Sequence, residues 1–293
     1  MNKLFLIGMS VCLLLACKAQ SADNNAKSLL WKVSKKGQKD SYLFGTMHLL
    51  CPDDYVWTDA MAGKLKASDV VCFEMDLDDP NLMADMMSGL QSMANGEEEI
   101  KPLKAYFTDE QYQRLKIFAK DSLGLSPLLL DNMPPFMLQT MFLTKMLDCS
   151  IPMSYEGNIM TEAQRQGKEI IGLETIDEQL AALKESKDDS VAAALLQLVD
   201  SFSASRQDFR EMVTLYKNQD IEKLAGMTDD PAGSMGMNMQ ALLQDRNERW
   251  IERMSAMMKS QSVFFAVGAA HLGGKDGVIK LLRQAGYTVT AVK

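Results

Sequence analysis

Six short apolar runs, spread from one end of the chain to the other, predict the strands of a sheet. They occupy residues 29–33, 41–44, 70–75, 169–173, 263–267 and 287–292. Runs of this length, bounded by Gly, Pro, Asp or Ser, are typical of strands that are buried in a sheet. The stretches between them have helical character, so the sequence predicts an α/β fold with a central mixed, largely parallel sheet flanked by helices.

Long helical stretches separate the third run from the fourth and the fourth from the fifth. Thr108 with Gln111 and Thr175 with Glu178 have the spacing of capping boxes, which mark helix starts. Gly124 and Gly286 have the position of helix stops. We therefore predict one domain over residues 28–293, with an inserted helical subdomain of about 80–165 and 178–258.

The chain has only two histidines, and both close the same short pattern. His48 and His271 each follow an apolar run, with a glycine three residues earlier, Gly45 and Gly268. After each histidine come a helical stretch and another strand-like run, and crossovers of this length normally return to a parallel neighbouring strand. We expect both imidazoles at one edge of the sheet, where ligand sites of α/β proteins collect.

Two glutamates also end predicted strands, Glu74 after the run 70–73 and Glu174 after the run 170–173. Two imidazoles and one carboxylate suit a divalent ion such as Mn²⁺, Co²⁺ or Zn²⁺ and leave coordination positions open. We expect His48, His271 and Glu74 to form the metal site and Glu174 to act as base or as support. The alternative is structural: each imidazole satisfies a turn, and each glutamate caps a helix or pairs with a cation.

A further polar pair, Arg246 and Asn247, lies in an amphipathic stretch before the fifth run. The guanidinium of Arg246 would fork onto the carboxylate of Glu74 or of a substrate C-terminus. The amide of Asn247 would donate to an oxyanion, which adds both residues to the candidate catalytic set. Simple surface placement is the alternative for the pair.

Residues 1–16 combine one cation, Lys3, with an apolar stretch and predict a secretory signal peptide. Leu14-Leu15-Ala16-Cys17 resembles a bacterial lipobox, so we expect lipidation at Cys17 and a polar tether over 17–27. The mature protein would then be anchored through its N-terminal lipid in a bacterial cell envelope, at the outer membrane or the periplasmic face. Cleavage without lipidation would release a secreted protein instead.

Beyond residue 17 the cysteines are Cys51, Cys72 and Cys149, which permit one disulfide and one free thiol; the pairing stays open. The formal net charge of −8 argues against nucleic acid as a partner. No H-E-x-x-H helix, G-x-S-x-G turn, Walker motif or dinucleotide-binding motif is present. The histidines and glutamates therefore remain the main candidates for chemistry.

The ordered set of these motifs resembles the TraB/GumN family, which includes the pheromone-shutdown PrgY proteins and the Tiki proteins of animals. The resemblance rests on five segments of this chain: Gly45–Leu49, Glu74, Gly172–Thr175 followed by Gln179, Arg246-Asn247 and Gly268–His271. One departure is Ser154-Tyr155-Glu156-Gly157, where many relatives have Gly-x-Asp before a helix; Glu156 is the candidate replacement.

The resemblance implies a metal-dependent hydrolase-like site built on the paired G-x-x-H motifs, with protease activity attributed to the Tiki branch. It also implies an α/β core similar to those of the haem-binding ChaN lipoproteins and the erythromycin esterases. The sequence thus predicts an extracytoplasmic, peptidase-like hydrolase acting on a peptide or protein. The alternative is a non-catalytic surface lipoprotein that binds a peptide or haem.

Overall fold

A computed structural model describes residues 26–94, 101–131, 133–229 and 233–293. Within these residues, six strands form one sheet in the order β4-β3-β5-β2-β1-β6. They are β1 (Leu30–Ser34), β2 (Ser41–Thr46), β3 (Val70–Met75), β4 (Glu169–Glu174), β5 (Val263–Gly268) and β6 (Thr288–Ala291). Each strand coincides with a predicted apolar run to within two residues at either end, so all six predictions are confirmed.

The sheet is mixed and largely parallel, as predicted. The neighbours β4, β3, β5 and β2 all run parallel, whereas β1 pairs antiparallel with both β2 and β6. The expectation that each crossover returns to a neighbouring strand is wrong, because β5 lies between β2 and β3, and β6 lies beyond β1. The run in β5 is apolar and buried from Val263 to Val267, which suits the centre of a sheet that is covered on both faces.

Helices flank the sheet, and twelve α-helices lie in the described ranges. They are α1 (Asp59–Ala67), α2 (Leu82–Ala94), α3 (Asp109–Leu123), α4 (Pro127–Asp131), α5 (Pro135–Thr144), α6 (Tyr155–Arg165), α7 (Ile176–Lys184), α8 (Asp188–Asp200), α9 (Phe202–Lys217), α10 (Ile221–Asp229), α11 (Asp245–Met257) and α12 (Val278–Gln284). The capping boxes at Thr108 and Thr175 begin α3 and α7 as predicted. Gly124 ends α3 with a left-handed φ of 69°, which glycine adopts without steric cost.

Two buried clusters hold these elements together. The larger packs the helices on the sheet and includes Phe44, Phe264 and Trp250. The other joins α3, α5 and α8 through residues such as Leu115 and Phe142. The helices between β3 and β5 thus have buried contacts of their own, while their standing as an inserted subdomain stays a prediction.

The predicted signal peptide (1–16), the lipidation site Cys17 and most of the tether (17–27) lie outside the described residues. Among the helices that are described, none is both long enough and apolar enough to cross a bilayer.

Candidate functional site

Four candidate residues follow the carboxyl ends of four adjacent parallel strands. His48 comes two residues after β2, Glu74 lies near the end of β3, Glu174 ends β4, and His271 closes a 3₁₀ turn, Ala269–His271, directly after β5. The pairing of Thr46 with Gly268 and of Met75 with Glu174 keeps these strand ends level. The structure therefore places all four residues at one edge of the sheet.

The two motif glycines allow close packing at this edge. A Cβ on Gly45 would lie 3.1 Å from the Cα of Ala269, so its absence lets the turn after β5 pack against β2. The backbone N–H of Gly268 donates to Glu74 Oε1 at 2.8 Å. A Cβ on Gly268 would lie 3.3 Å from that same oxygen. The glycines thus bring the turn that carries His271 against β2 and Glu74.

His271 is buried and held through its Nδ1 atom. Asn247 Oδ1 lies 2.7 Å from Nδ1, while Asn247 Nδ2 donates to the carbonyl of Asp276 at 2.9 Å. Because the amide oxygen only accepts, Nδ1 carries the proton and Nε2 keeps its lone pair. Burial lowers the pKa of His271 to about 3, so the imidazole is neutral at physiological pH. The ring packs on Trp250, with ring centres 4.4 Å apart.

Glu74 lies next to the second ring nitrogen of His271, with Oε1 at 3.9 Å from Nε2. Its second oxygen accepts hydrogen bonds from Arg246 Nη2 at 2.7 Å and from Gln179 Nε2 at 3.3 Å. Burial opposes ionisation of this carboxyl, but His271, Arg246 and the N–H of Gly268 outweigh burial and lower the pKa of Glu74 to about 2. Glu74 is therefore an ionised carboxylate whose side chain is only 14% exposed.

Arg246 joins Glu74 to Glu174. Its Nε donates to Glu174 Oε1 at 2.9 Å, and its Nη1 donates to the carbonyl of Leu242 at 2.9 Å. The side chain of Glu174 is 0% exposed and also accepts from the indole of Trp250 at 3.1 Å. One guanidinium is thus paired with two carboxylates, and its Nη1 lies 3.4 Å from His271 Nε2, within hydrogen-bond distance. A π-helical turn, Gln240–Gln244, leads into α11 and hence to Arg246 and Asn247.

His48, unlike the buried His271, is 73% exposed. Its Nδ1 is 3.0 Å from Glu156 Oε1, in the first turn of α6. The hydroxyl of Ser154, the N-cap of α6, donates to the other oxygen of Glu156 at 2.9 Å. The hydrogen bond with Glu156 raises the pKa of His48. Burial opposes ionisation of Glu156, but the bond with His48 outweighs it and lowers the pKa of Glu156.

Covalent and backbone bonds hold the loops that carry His48 and Glu156. Cys51 forms a disulfide with Cys149, and Leu50 and Met153 exchange two backbone hydrogen bonds of 3.0 and 2.7 Å. Cys72 is the free thiol and is buried in β3. The disulfide that the sequence permitted therefore joins the segment after His48 to the segment before Glu156.

From the sequence, Glu156 stands out only as a departure from a family pattern, and nothing in it predicts the hydrogen bond between Gln179 and Glu74. A signal for Glu156 was present: a serine followed by an acid is typical of a helix start, which fixes the carboxylate in the first turn. Its partner lies 108 residues away in the chain, and local pattern contains no information about such a pair.

A divalent ion requires several donor atoms that surround one point. Within the described ranges, no three His, Cys, Asp or Glu side chains converge closely enough to enclose an ion. The types of donor nevertheless fit: His271 Nε2 has its lone pair, Glu74 is ionised beside it, and each histidine is engaged through Nδ1 by an oxygen. Fixing a histidine through its other nitrogen is the usual arrangement around protein metal ions.

These features define a class: an α/β protein whose imidazoles and carboxylates follow the carboxyl ends of adjacent parallel strands, at one edge of the sheet. The chain belongs to the TraB/PrgY/gumN family, whose model matches residues 29–291. The resemblance found in the sequence is thereby confirmed.

Three relatives illustrate the range of the match. Metalloprotease TIKI2 of Danio rerio is 25% identical over 93% of this chain and 62% of its own length. The metalloprotease TIKI homolog of Amphimedon queenslandica is 24% identical over 97% of this chain and 66% of its own length. The uncharacterized protein YbaP of Shigella flexneri is 24% identical over 86% of this chain and 90% of its own length. The chain thus spans less than two thirds of these Tiki relatives, and no solved structure matches it.

Proposed function

We propose that this protein is a metal-dependent hydrolase of peptide bonds that works in the cell envelope. One observation carries the proposal: at adjacent strand ends, two histidines are each engaged through Nδ1 by an oxygen, and Glu74 lies 3.9 Å from Nε2 of His271. The relatives named metalloprotease support a divalent metal and a peptide or protein substrate.

His271 Nε2, Glu74 and the Nε2 of His48 would hold the ion, and Mn²⁺, Co²⁺ and Zn²⁺ accept such a set. A divalent ion bound there would supply a Lewis acid for the carbonyl of the scissile amide. Asn247 and Glu156 act through the two histidines, since each engages an Nδ1 atom and so fixes the orientation of a ring. Asn247 is in this proposal a positioning residue, whereas the sequence had suggested a donor to an oxyanion.

Arg246 and Glu174 are positioning residues as well. Arg246 donates to both glutamates, so it fixes the carboxylate of Glu74 beside His271. Glu174 has no exposed side-chain surface on which to receive a proton from water. We therefore assign the proton-accepting role, which the sequence had suggested for Glu174, to Glu156, which is 18% exposed next to His48.

The envelope location rests on two features. The disulfide between Cys51 and Cys149 is stable in an oxidising compartment. The signal peptide and lipidated Cys17 remain expectations from the sequence.

Calorimetric titration of the metal-free protein with Mn²⁺, Co²⁺ and Zn²⁺ tests the proposal. We expect about one equivalent of one ion to bind, and the loaded protein to cleave a quenched fluorescent peptide pool. His271→Ala and His48→Ala should each weaken binding by at least about tenfold. Glu178→Gln is the matched control, because Glu178 is paired with Arg253 away from the histidines.

The proposal fails if no ion binds at saturating concentration or if both histidine variants bind like the wild type. A Soret band after reconstitution with haem, in protein that takes up no metal, would instead favour the haem-binding alternative.

A further inference from the structure

A cavity of about 730 Å³ lies directly beside the proposed site. Its wall begins at Met75, the residue after Glu74, and reaches Glu174 and Thr175 at the end of β4. The other walls come from α2 and from α7. Its volume lies within the range of about 300–1,000 Å³ that is usual for small-ligand pockets. The cavity and the proposed site therefore share one edge of the sheet.

The wall formed by α2 depends on a close helix contact. A Cβ on Gly89 would overlap the end of the Leu180 side chain in α7. The glycine therefore lets α2 pack directly on α7 and close that side of the cavity.

The cavity lining combines an apolar surface with acidic groups. Its apolar members are Met75, Leu82, Ile176, Leu180 and Ala181. Besides Glu174, its acidic members are Asp76, Asp79, Asp85 and Asp177, and Lys184 is the one cation among the described lining residues. Within the described residues, none of these four aspartates forms an ion pair in the structure.

The neighbouring carboxylates differ from these aspartates, because each of them forms an ion pair with an arginine. Glu74 and Glu174 are paired with Arg246, and Glu178 is paired with Arg253. Two arginines thus offset most of the negative charge of these three carboxylates. The four aspartates of the cavity form no such pairs within the described residues, and with Lys184 as the cation of the lining they leave a net negative surface that is available to a cationic ligand.

We propose that this cavity receives the side chain of a lysine or arginine in the peptide substrate; this inference rests on the proposed function. The methylene groups would lie on Leu180 and Met75, and the cationic head would reach Asp85 or Asp177. Both lining types are needed for such a side chain, because its stem is apolar and its end is charged. The substrate class is therefore a peptide with a basic residue close to the scissile bond.

A binding experiment tests this separately from hydrolysis. Two pools of blocked hexapeptides, with lysine or norleucine fixed at one position, are equilibrated with the immobilised full-length protein in the presence of a chelator. Mass spectrometry then gives the ratio of the two pools retained. We expect about tenfold enrichment of the lysine pool, the factor typical of one well-placed charge pair.

The double variant Asp85→Asn/Asp177→Asn should reduce this enrichment to about twofold or less. Asp177→Lys should turn the preference towards a pool with fixed glutamate. Asp59→Asn is the matched control, since Asp59 also lies in a first helical turn, that of α1, and it does not line the cavity. It should keep the wild-type ratio.

Equal retention of both pools by the wild type, or an unchanged ratio in the double variant, would overturn the inference. The two proposals fail in distinguishable ways. If the protein prefers lysine peptides but hydrolyses nothing after metal loading, the inference about the cavity stands and the proposed peptidase activity fails. If the protein hydrolyses peptides without any preference for lysine, the proposed peptidase activity stands and the inference about the cavity fails.

Discussion

Arg246 and Glu174 form an ion pair in which the carboxylate has no exposed surface and Nε donates at 2.9 Å. The same guanidinium donates to Glu74 at 2.7 Å. Two anions on adjacent strands are therefore held together by a single cation, and the position of Glu74 depends on it.

Loss of that cation should destabilise the fold. Arg246→Met leaves two buried carboxylates uncompensated, and breaking such a pair costs about 3–5 kcal/mol of the free energy of unfolding. Urea denaturation measures this value. Arg249→Met, in the same helix but exposed, should change it by no more than about 0.5 kcal/mol. Equal stability of the two variants would mean that the buried network contributes nothing.

The two histidines should titrate at very different pH values in the metal-free protein. The hydrogen bond with Glu156 raises the pKa of His48 to about 9, whereas burial lowers the pKa of His271 to about 3. Proton NMR can follow the two imidazole signals separately, because the chain has no other histidine. Between about pH 5 and about pH 10, a window that contains the pKa of His48 but not that of His271, the His48 signal should move and the His271 signal should stay.

Glu156→Gln should return the titration of His48 towards its ordinary pKa, because the carboxylate that stabilises the imidazolium is removed. The sign for stability follows from the raised folded-state pKa: the pair stabilises the fold fully below the unfolded-state value of 6.5 and loses this effect as the pH rises through about 9. Solvent screening at an exposed imidazole keeps the contribution small. An unchanged titration in the variant would contradict the assigned pair.

Removal of the disulfide should loosen the position of His48. Cys51→Ser/Cys149→Ser opens a covalent loop with a sequence separation of 98 residues. A cost of about 2–5 kcal/mol is typical for such a loop. The NMR titration of His48 should also approach that of a free imidazole, since Glu156 is no longer held beside it. Cys72→Ala is the control: it loses a buried thiol in β3 and should leave the His48 titration unchanged.

Gly172→Ala should be more harmful than an ordinary glycine substitution. Its Cβ would lie 2.5 Å from the backbone N of Asp76, at the end of the strand that carries Glu74. Overpacking against backbone costs about 1–3 kcal/mol or more. Gly63→Ala in α1 meets no atom within 4 Å and should instead stabilise the protein, by about 0.5–1 kcal/mol, because alanine favours helix. Thermal denaturation of both variants tests the contrast.

The sequence predicted the strands well because each is a continuous apolar run between turn residues, and it predicted the starts of α3 and α7 because a capping box is local. The place of β5 between β2 and β3 was not predictable in this way, since strand order depends on packing between distant segments. The contact of His48 with Glu156 was not predictable for the same reason, since it joins residues 108 positions apart. For Arg246 the sequence left a substrate group and Glu74 as alternative partners, and only the fold brings Glu174 to the same guanidinium.

The shared arginine also has a consequence for maturation. Small zinc domains need their ion in order to fold, because nothing else holds their ligands together. In this protein Arg246 already pairs with both Glu74 and Glu174, and backbone and amide groups hold the carboxylate of Glu74 and the buried imidazole of His271. We therefore expect the chain to fold without an ion, and a chelator to remove any ion bound at the proposed site without unfolding the protein.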